Sequence, residues 1–189
     1  MRRRRPSVRL AFGTVVVAVV AAVALTGCGT TDVPGQTTAG AAAVSAAPTR
    51  TVTPTVDQTR AALVSALGTV NLVLTDSQAP VRPAEAPLLA AAPRAIYQVT
   101  LPDDPDKGFI VVYEFADAAR AAAAAIEQQA YLATGPGRVQ TPQGTVSVIR
   151  QVGSTVVFYQ WLPGAAKDPS AGGIQTALES VGIGFPVAN

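Results

Sequence analysis

Few side chains in this sequence have the chemistry that catalysis or metal binding requires. The chain contains no histidine and a single cysteine, Cys28. Because histidine is the commonest general base and metal ligand, serine triads, cysteine–histidine dyads and zinc–histidine sites are excluded. One cysteine cannot form an intrachain disulfide or a thiolate metal cluster. We therefore expect no catalytic residue of these types, no metal site and no cofactor.

Carboxylates are the remaining candidates for acid–base chemistry, as in the paired acids of glycosidases. Glu114 and Glu127 are the acids nearest to the predicted core elements, and Glu127 has a position typical of a solvated helix residue. A buried Glu114 that faced Arg150 would more often form a structural ion pair than act in catalysis. The aspartates of residues 102–107 lack the ligand spacing of an EF-hand calcium loop, so we interpret them as an acidic hairpin loop. The sequence favours a non-catalytic role, with a carboxylate hydrolase as the alternative.

The N-terminus has the organisation of an export signal. Four consecutive arginines at residues 2–5 precede an apolar run over residues 10–25, which falls short of the roughly 20 residues that a transmembrane helix needs. The run ends in Leu25-Thr26-Gly27-Cys28, which resembles the lipobox of bacterial lipoproteins. The resemblance implies that residues 1–27 are a signal peptide, that the chain is cut before Cys28, and that a diacylglyceryl group is attached to its sulfur.

A lipid on Cys28 predicts where the mature protein resides. Two acyl chains hold a protein on a bilayer where one chain would be marginal, so we expect a lipid-anchored protein on the extracytoplasmic face of the cell membrane. The alternative is an uncleaved signal anchor with an unmodified cysteine, and the export route, general or twin-arginine, stays open. Five of the fourteen basic residues lie in the first nine positions, which leaves nine basic against twelve acidic residues. Nucleic acid is therefore not an expected partner.

Residues 28–54 have the composition of a flexible linker. They are almost wholly Ala, Thr, Gly, Ser, Pro, Val and Gln, with no aromatic residue. Such a stretch cannot bury enough apolar area to offset the entropy cost of ordering it. We expect a tether between the membrane and a single domain over residues 55–189, and glycosylation of the tether stays open.

The rest of the chain predicts an α+β domain with the element order α-ββα-ββα. The signals are apolar positions at helical spacing, an N-cap at Asp117, and β-branched or aromatic runs separated by turn residues. The predicted helices span residues 56–67, residues 118–134 and a segment capped by Asp168, and the predicted strands span residues 95–101, 108–115, 145–152 and 155–162. These elements predict a four-stranded antiparallel sheet with helices packed mainly on one face. A parallel crossover between the second and third strands, as in ferredoxin-like folds, is the alternative.

Gly153 and Ser154 have the composition of a two-residue type II′ hairpin turn, which predicts the register of the last two strands. This register pairs Val152 with Thr155, Arg150 with Val157, Val148 with Tyr159 and Val146 with Trp161. On the opposite face of the hairpin, apolar and polar residues mix in a pattern compatible with docking a semi-polar partner. This candidate partner face consists of Ser147, Ile149, Phe158 and Gln160. The alternative is that the first helix or the proline-rich residues 75–93 cover it.

Residues 131–163 resemble a segment of uncharacterised exported proteins of high-G+C bacteria, a resemblance that brings no known activity. The sequence thus predicts a lipoprotein of the cell envelope with a non-catalytic binding or accessory role toward an unknown envelope protein or ligand. Besides the hydrolase, a carrier of an apolar ligand is an alternative, and it would require a cavity of several hundred Å³.

We expect the lipid anchor to depend on Cys28 alone, because the chain has no second thiol. Radiolabelled palmitate should be incorporated into the wild type, whereas Cys28→Ala should stay unlabelled. Ser45→Ala, a small change in the predicted linker, should keep full labelling. A mature N-terminus other than Cys28, or labelled Cys28→Ala protein, would contradict the lipobox interpretation.

Overall fold

A computed structural model describes residues 53–188 as an antiparallel sheet with helices against both of its faces. The helices are α1 (Pro54–Gly68), α2 (Pro87–Ala91), α3 (Ala118–Ala133), α4 (Pro136–Gln140) and α5 (Ala171–Glu179). The strands are β1 (Leu74–Asp76), β2 (Arg94–Val99), β3 (Phe109–Glu114), β4 (Val146–Val152), β5 (Thr155–Trp161) and β6 (Ile183–Gly184). The predicted signal peptide, Cys28 and nearly all of the predicted linker lie outside the described residues.

The described part of the chain confirms an α+β fold with an antiparallel sheet, but the sheet has six strands rather than the four predicted. The strand order is β1-β2-β3-β5-β4-β6, and every pairing is antiparallel, so the parallel crossover is wrong. The two additional strands, β1 and β6, are three and two residues long. Strands this short carry too little alternation to be recognised from the sequence.

The hairpin of β4 and β5 is paired as predicted. Its register joins Val152 to Thr155 at the turn and Val146 to Trp161 at the far end. Gly153 has a φ of +57°, the positive value that the first central position of a type II′ turn requires and that glycine adopts without steric cost. The turn therefore determines the face of the sheet on which each side chain of the hairpin lies.

Helices cover both faces of the sheet, which corrects the prediction that they pack mainly on one face. The core of one face includes Leu63 of α1 and Ile174 of α5. The core of the other face includes Leu89 of α2 and Ala125 of α3. The reason is visible in β3, where residues 110–113 are all buried. Such a continuous apolar run is typical of a strand that is covered on both sides.

α3 packs against the sheet through small side chains. Asp117 caps the helix, as predicted, by accepting a hydrogen bond from the backbone N–H of Arg120 at 2.8 Å. Ile126 and Ala130 have the spacing of residues on one helix face, but that face is not the core face, because Ile126 is 56% exposed. The fully buried residues of α3 are instead Ala121, Ala124, Ala125 and Gln128.

The last helix begins later than predicted. α5 starts at Ala171, and Ser170 occupies the position before it. Asp168 is therefore not the N-cap, and its buried carboxylate has other backbone partners that are described below. Helical spacing also predicts an apolar stripe from Ile174 to Val181, and this is confirmed, since Ile174 and Leu178 are fully buried.

Two threonines fasten α1 to the sheet. Thr53 caps the helix by accepting a hydrogen bond from the N–H of Val56, and its hydroxyl donates to Glu114 Oε1 at 2.6 Å. The hydroxyl of the buried Thr59 lies 2.8 Å from that of Thr155. Both contacts lie at the end of the sheet where Glu114 and Thr155 are paired.

A buried glutamine of α3 holds part of the proline-rich stretch against the domain. This part, residues 79–87, is called the proline-rich segment below. Gln128 Nε2 donates to the carbonyl oxygen of Ala84 at 2.7 Å, and Gln128 Oε1 accepts from the N–H of Ala86 at 2.6 Å. The glutamine is fully buried. Both ends of its amide are thus used to satisfy backbone groups that the irregular segment leaves unpaired.

Gln128→Leu should keep the side-chain size but remove both partners of the segment. Because an unsatisfied buried polar group costs about 1–3 kcal/mol, we expect the free energy of unfolding in urea to fall by about 2 kcal/mol or more. The matched control is Gln129→Leu, whose amide makes only an exposed hydrogen bond to Pro186; its effect should stay within about 0.5 kcal/mol. Equal stability of the two variants would contradict the role of Gln128.

Candidate functional site

The described residues form a groove at the end of the sheet where β5 extends past β3. The pairing of these strands ends with Ile110 opposite Tyr159, and β5 continues through Gln160 and Trp161. The groove has a volume of about 420 Å³ and is open to solvent. It lies at the sheet end formed by the start of β3 and the end of β5, since Phe109 and Trp161 both line it.

The groove has a buried floor and mostly apolar walls. The floor residues Leu101, Val111, Phe158 and Tyr159 are each no more than 2% exposed. The apolar wall residues come from the proline-rich segment, the start of β3, the connector before β4 and the end of β5, and include Val81, Pro83, Phe109, Pro142, Trp161 and Leu162. A concave apolar surface with a few polar groups is typical of a small-molecule site.

Two aspartates brace one wall of the groove, and we call them the aspartate clasp. Asp104 Oδ2 accepts hydrogen bonds from the N–H groups of Lys167 at 2.5 Å and Asp168 at 2.9 Å. In return, the Asp168 carboxylate accepts from the N–H groups of Asp103 at 3.2 Å and Ser170 at 2.8 Å. The clasp joins the β2–β3 loop to the segment before α5, although the two aspartates are far apart in sequence.

The backbone N–H groups of the clasp favour the charged form of both carboxylates. The N–H of Asp168 lowers the pKa of Asp104 below its ordinary value of 3.8. The N–H of Ser170 lowers the pKa of Asp168 in the same way. Neither aspartate is thus poised to donate a proton near neutral pH, and their role at the groove is to hold its wall.

A second buried cluster involves Glu85, Arg94 and Tyr113. Glu85 Oε1 accepts hydrogen bonds from Arg94 Nη1 and, at 2.6 Å, from the hydroxyl of Tyr113. Burial raises the pKa of Tyr113, and its bond to the Glu85 carboxylate raises it further. None of the three residues lines the groove. The cluster fastens the proline-rich segment to β2 and β3, and the sequence carried no signal for it.

The candidate partner face is divided between the core and the groove. Ile149 and Phe158 are each 1% exposed, so the exposed apolar pair that the docking hypothesis required is not found. α3 covers them, together with Val81 and Ala84 of the proline-rich segment; the first helix, considered as a cover, lies on the other face. Phe158 nevertheless forms part of the groove floor.

The two polar members of the candidate face lie beside each other. Gln160 Nε2 donates to Ser147 Oγ at 2.9 Å, and both residues are half-buried. Gln160 also lines the groove, whereas Ser147 does not. The structure thus brings Phe158 and Gln160 to the groove and leaves Ser147 and Ile149 outside it.

The carboxylates considered for catalysis have structural partners. Glu114 accepts a hydrogen bond from Thr53. Arg150 instead donates to the carbonyl oxygens of Val181 at 2.6 Å and Gly182 at 2.9 Å, so these two residues do not form an ion pair with each other. Glu127 accepts from the N–H of Leu88 at 3.2 Å, near the start of α2. These acids therefore belong to helix termini and sheet contacts and do not surround the groove.

Within residues 53–188, no group of three or more His, Cys, Asp and Glu side chains is placed to hold a metal ion. No helix in this part of the chain has both the length and the apolar character needed to cross a membrane. No family model matches the sequence, and no curated protein or solved structure matches it. The function therefore has to be inferred from the groove and from the N-terminal motif.

The aspartate clasp should make stability depend on pH. Both pKa values are lowered in the folded state, so the stabilisation is complete above the ordinary value of 3.8 and is lost as the pH falls below it. Asp104→Asn should lower the unfolding temperature at pH 7 and approach the wild type as the pH falls below 3.8. Asp106→Asn, an exposed change in the same loop, should track the wild type. A constant gap between Asp104→Asn and the wild type across this range would contradict the clasp.

Proposed function

We propose that this chain is a membrane-anchored, extracytoplasmic lipoprotein whose domain binds a ligand with an apolar part in the groove, without catalysis. The observation that carries the proposal is the groove itself. Its volume of about 420 Å³ lies within the usual range for ligand sites, and its floor is formed by residues of both core faces. Apolar surface gathered in a concave site favours a ligand that buries carbon there.

The groove suits binding better than acid–base catalysis. Asp104 is the only carboxylate among the described residues that line it, and Asp104 is already bonded to two backbone N–H groups. The buried hydroxyl of Tyr159 lies 3.5 Å from the carbonyl oxygen of Ala171, and burial raises the pKa of this tyrosine. A general base would need a lower pKa than this phenol has and freer geometry than this carboxylate has.

The shape of the groove indicates how much of a ligand it holds. Because the groove is open to solvent, it can take up an apolar segment without a lid and leave the rest of the molecule outside. This favours the carrier or binding alternative over an enclosed store for a whole lipid. A lipid on Cys28 would keep such a domain close to a membrane, where molecules with apolar segments are concentrated.

Binding can be measured with N-phenyl-1-naphthylamine, a neutral apolar dye that fluoresces more strongly in apolar surroundings. The mature chain with Cys28→Ala is suitable because it needs no detergent. Trp161 is the only tryptophan and lines the groove, so its emission should change as the dye binds. Ala165→Phe, which adds a ring at the groove wall, should weaken dye binding by about tenfold, a change of about 1.4 kcal/mol.

The matched control is Ala123→Phe, since Ala123 is an exposed alanine on α3 that does not line the groove. It should bind the dye as the wild type does. If the dye failed to bind, or if Ala165→Phe bound it with unchanged affinity, the groove would not be the ligand site and the proposal would fail.

A further inference from the structure

The charged residues that line the groove differ in whether their side chains already have a bonding partner. Arg82 and Lys107 line it from two different segments, and Asp104 is its third charged residue. The Asp104 carboxylate already accepts two backbone hydrogen bonds in the aspartate clasp, whereas neither Arg82 nor Lys107 forms an ion pair with any described residue. The other acids of the β2–β3 loop, Asp103 and Asp106, are exposed and do not line the groove.

The two cations lie next to apolar wall residues. Arg82 is between Val81 and Pro83, and Lys107 is two positions before Phe109, all of which line the groove. Both cations are exposed, so positive charge lies on the solvent side of this apolar groove. A cation at the edge of an apolar site favours a ligand that joins a hydrocarbon chain to an anionic group.

We infer that the groove takes a single-chain anionic amphiphile, with the alkyl chain on the apolar lining of the groove and the anionic head group at Arg82 and Lys107. The inference rests on the proposal that the groove binds a ligand, and it adds the charge class of that ligand. Arg82 can bind a carboxylate or a phosphate through two parallel hydrogen bonds, and Lys107 supplies a second positive charge.

Three probes with chains of ten carbons, the carboxyl carbon included, test the charge class: decanoate, decyltrimethylammonium and decanol, each below the concentration at which it aggregates. Each probe displaces N-phenyl-1-naphthylamine from the mature Cys28→Ala chain, and Trp161 emission gives a second readout. Decanoate should bind about fivefold more tightly than the cation, because two exposed charges each contribute modestly. Raising the salt concentration to about 1 M should largely remove this preference.

Arg82→Gln combined with Lys107→Gln should remove the preference for decanoate over decyltrimethylammonium. Arg138→Gln, an exposed charge change on α4 outside the groove, should keep the preference. All polar contacts of Lys107 in the structure are made by its backbone, so its substitution should not unfold the domain, as circular dichroism can verify.

Two results would overturn the inference and leave groove binding intact. One is that the protein binds the dye but binds decanoate and decyltrimethylammonium with equal affinity. The other is a preference for decanoate that persists in the double glutamine variant. Absence of dye binding in the folded wild type would instead count against the groove as a ligand site, so the two failures are distinguishable.

Discussion

The pairing of β3 with β5 holds the two halves of the sheet together. β3 belongs to the hairpin with β2, and β5 belongs to the hairpin with β4, so this central pairing is the only ladder between the two hairpins in the described chain. Its register also leaves the end of β5 beyond Ile110 of β3. The groove lies at this end of the pairing, where Phe109 of β3 and Trp161 of β5 both line it.

Local signals allowed much of the fold to be predicted from the sequence. The turn at Gly153, the cap at Asp117 and the helical stripe of α5 each depend on neighbouring residues, and each is found. The covering of the sheet was mispredicted because α3 packs through alanines, which carry little hydrophobic signal, while Ile126 faces solvent. Packing between distant elements decides such faces, and helical spacing alone does not.

The candidate site was only partly predictable for a related reason. Strand alternation selected Phe158 and Gln160, which do reach the groove, but it could not reveal that α3 covers Ile149. The groove is assembled from segments that are far apart in sequence, including Arg82, Lys107 and Trp161. The aspartate clasp was hidden as well, because a carboxylate that binds a distant backbone has no local sequence pattern.

The contact between Thr53 and Glu114 fixes α1 to the end of the sheet that lies away from the groove. Thr53 is bonded at the last residue of β3, and the groove lies at the first residue of that strand. Six residues of extended chain separate the two ends, which is roughly 17 Å. The chain therefore enters the described domain at the end of β3 opposite the groove, so a force applied through Thr53 would act on α1 and the far end of the sheet before it reached the groove.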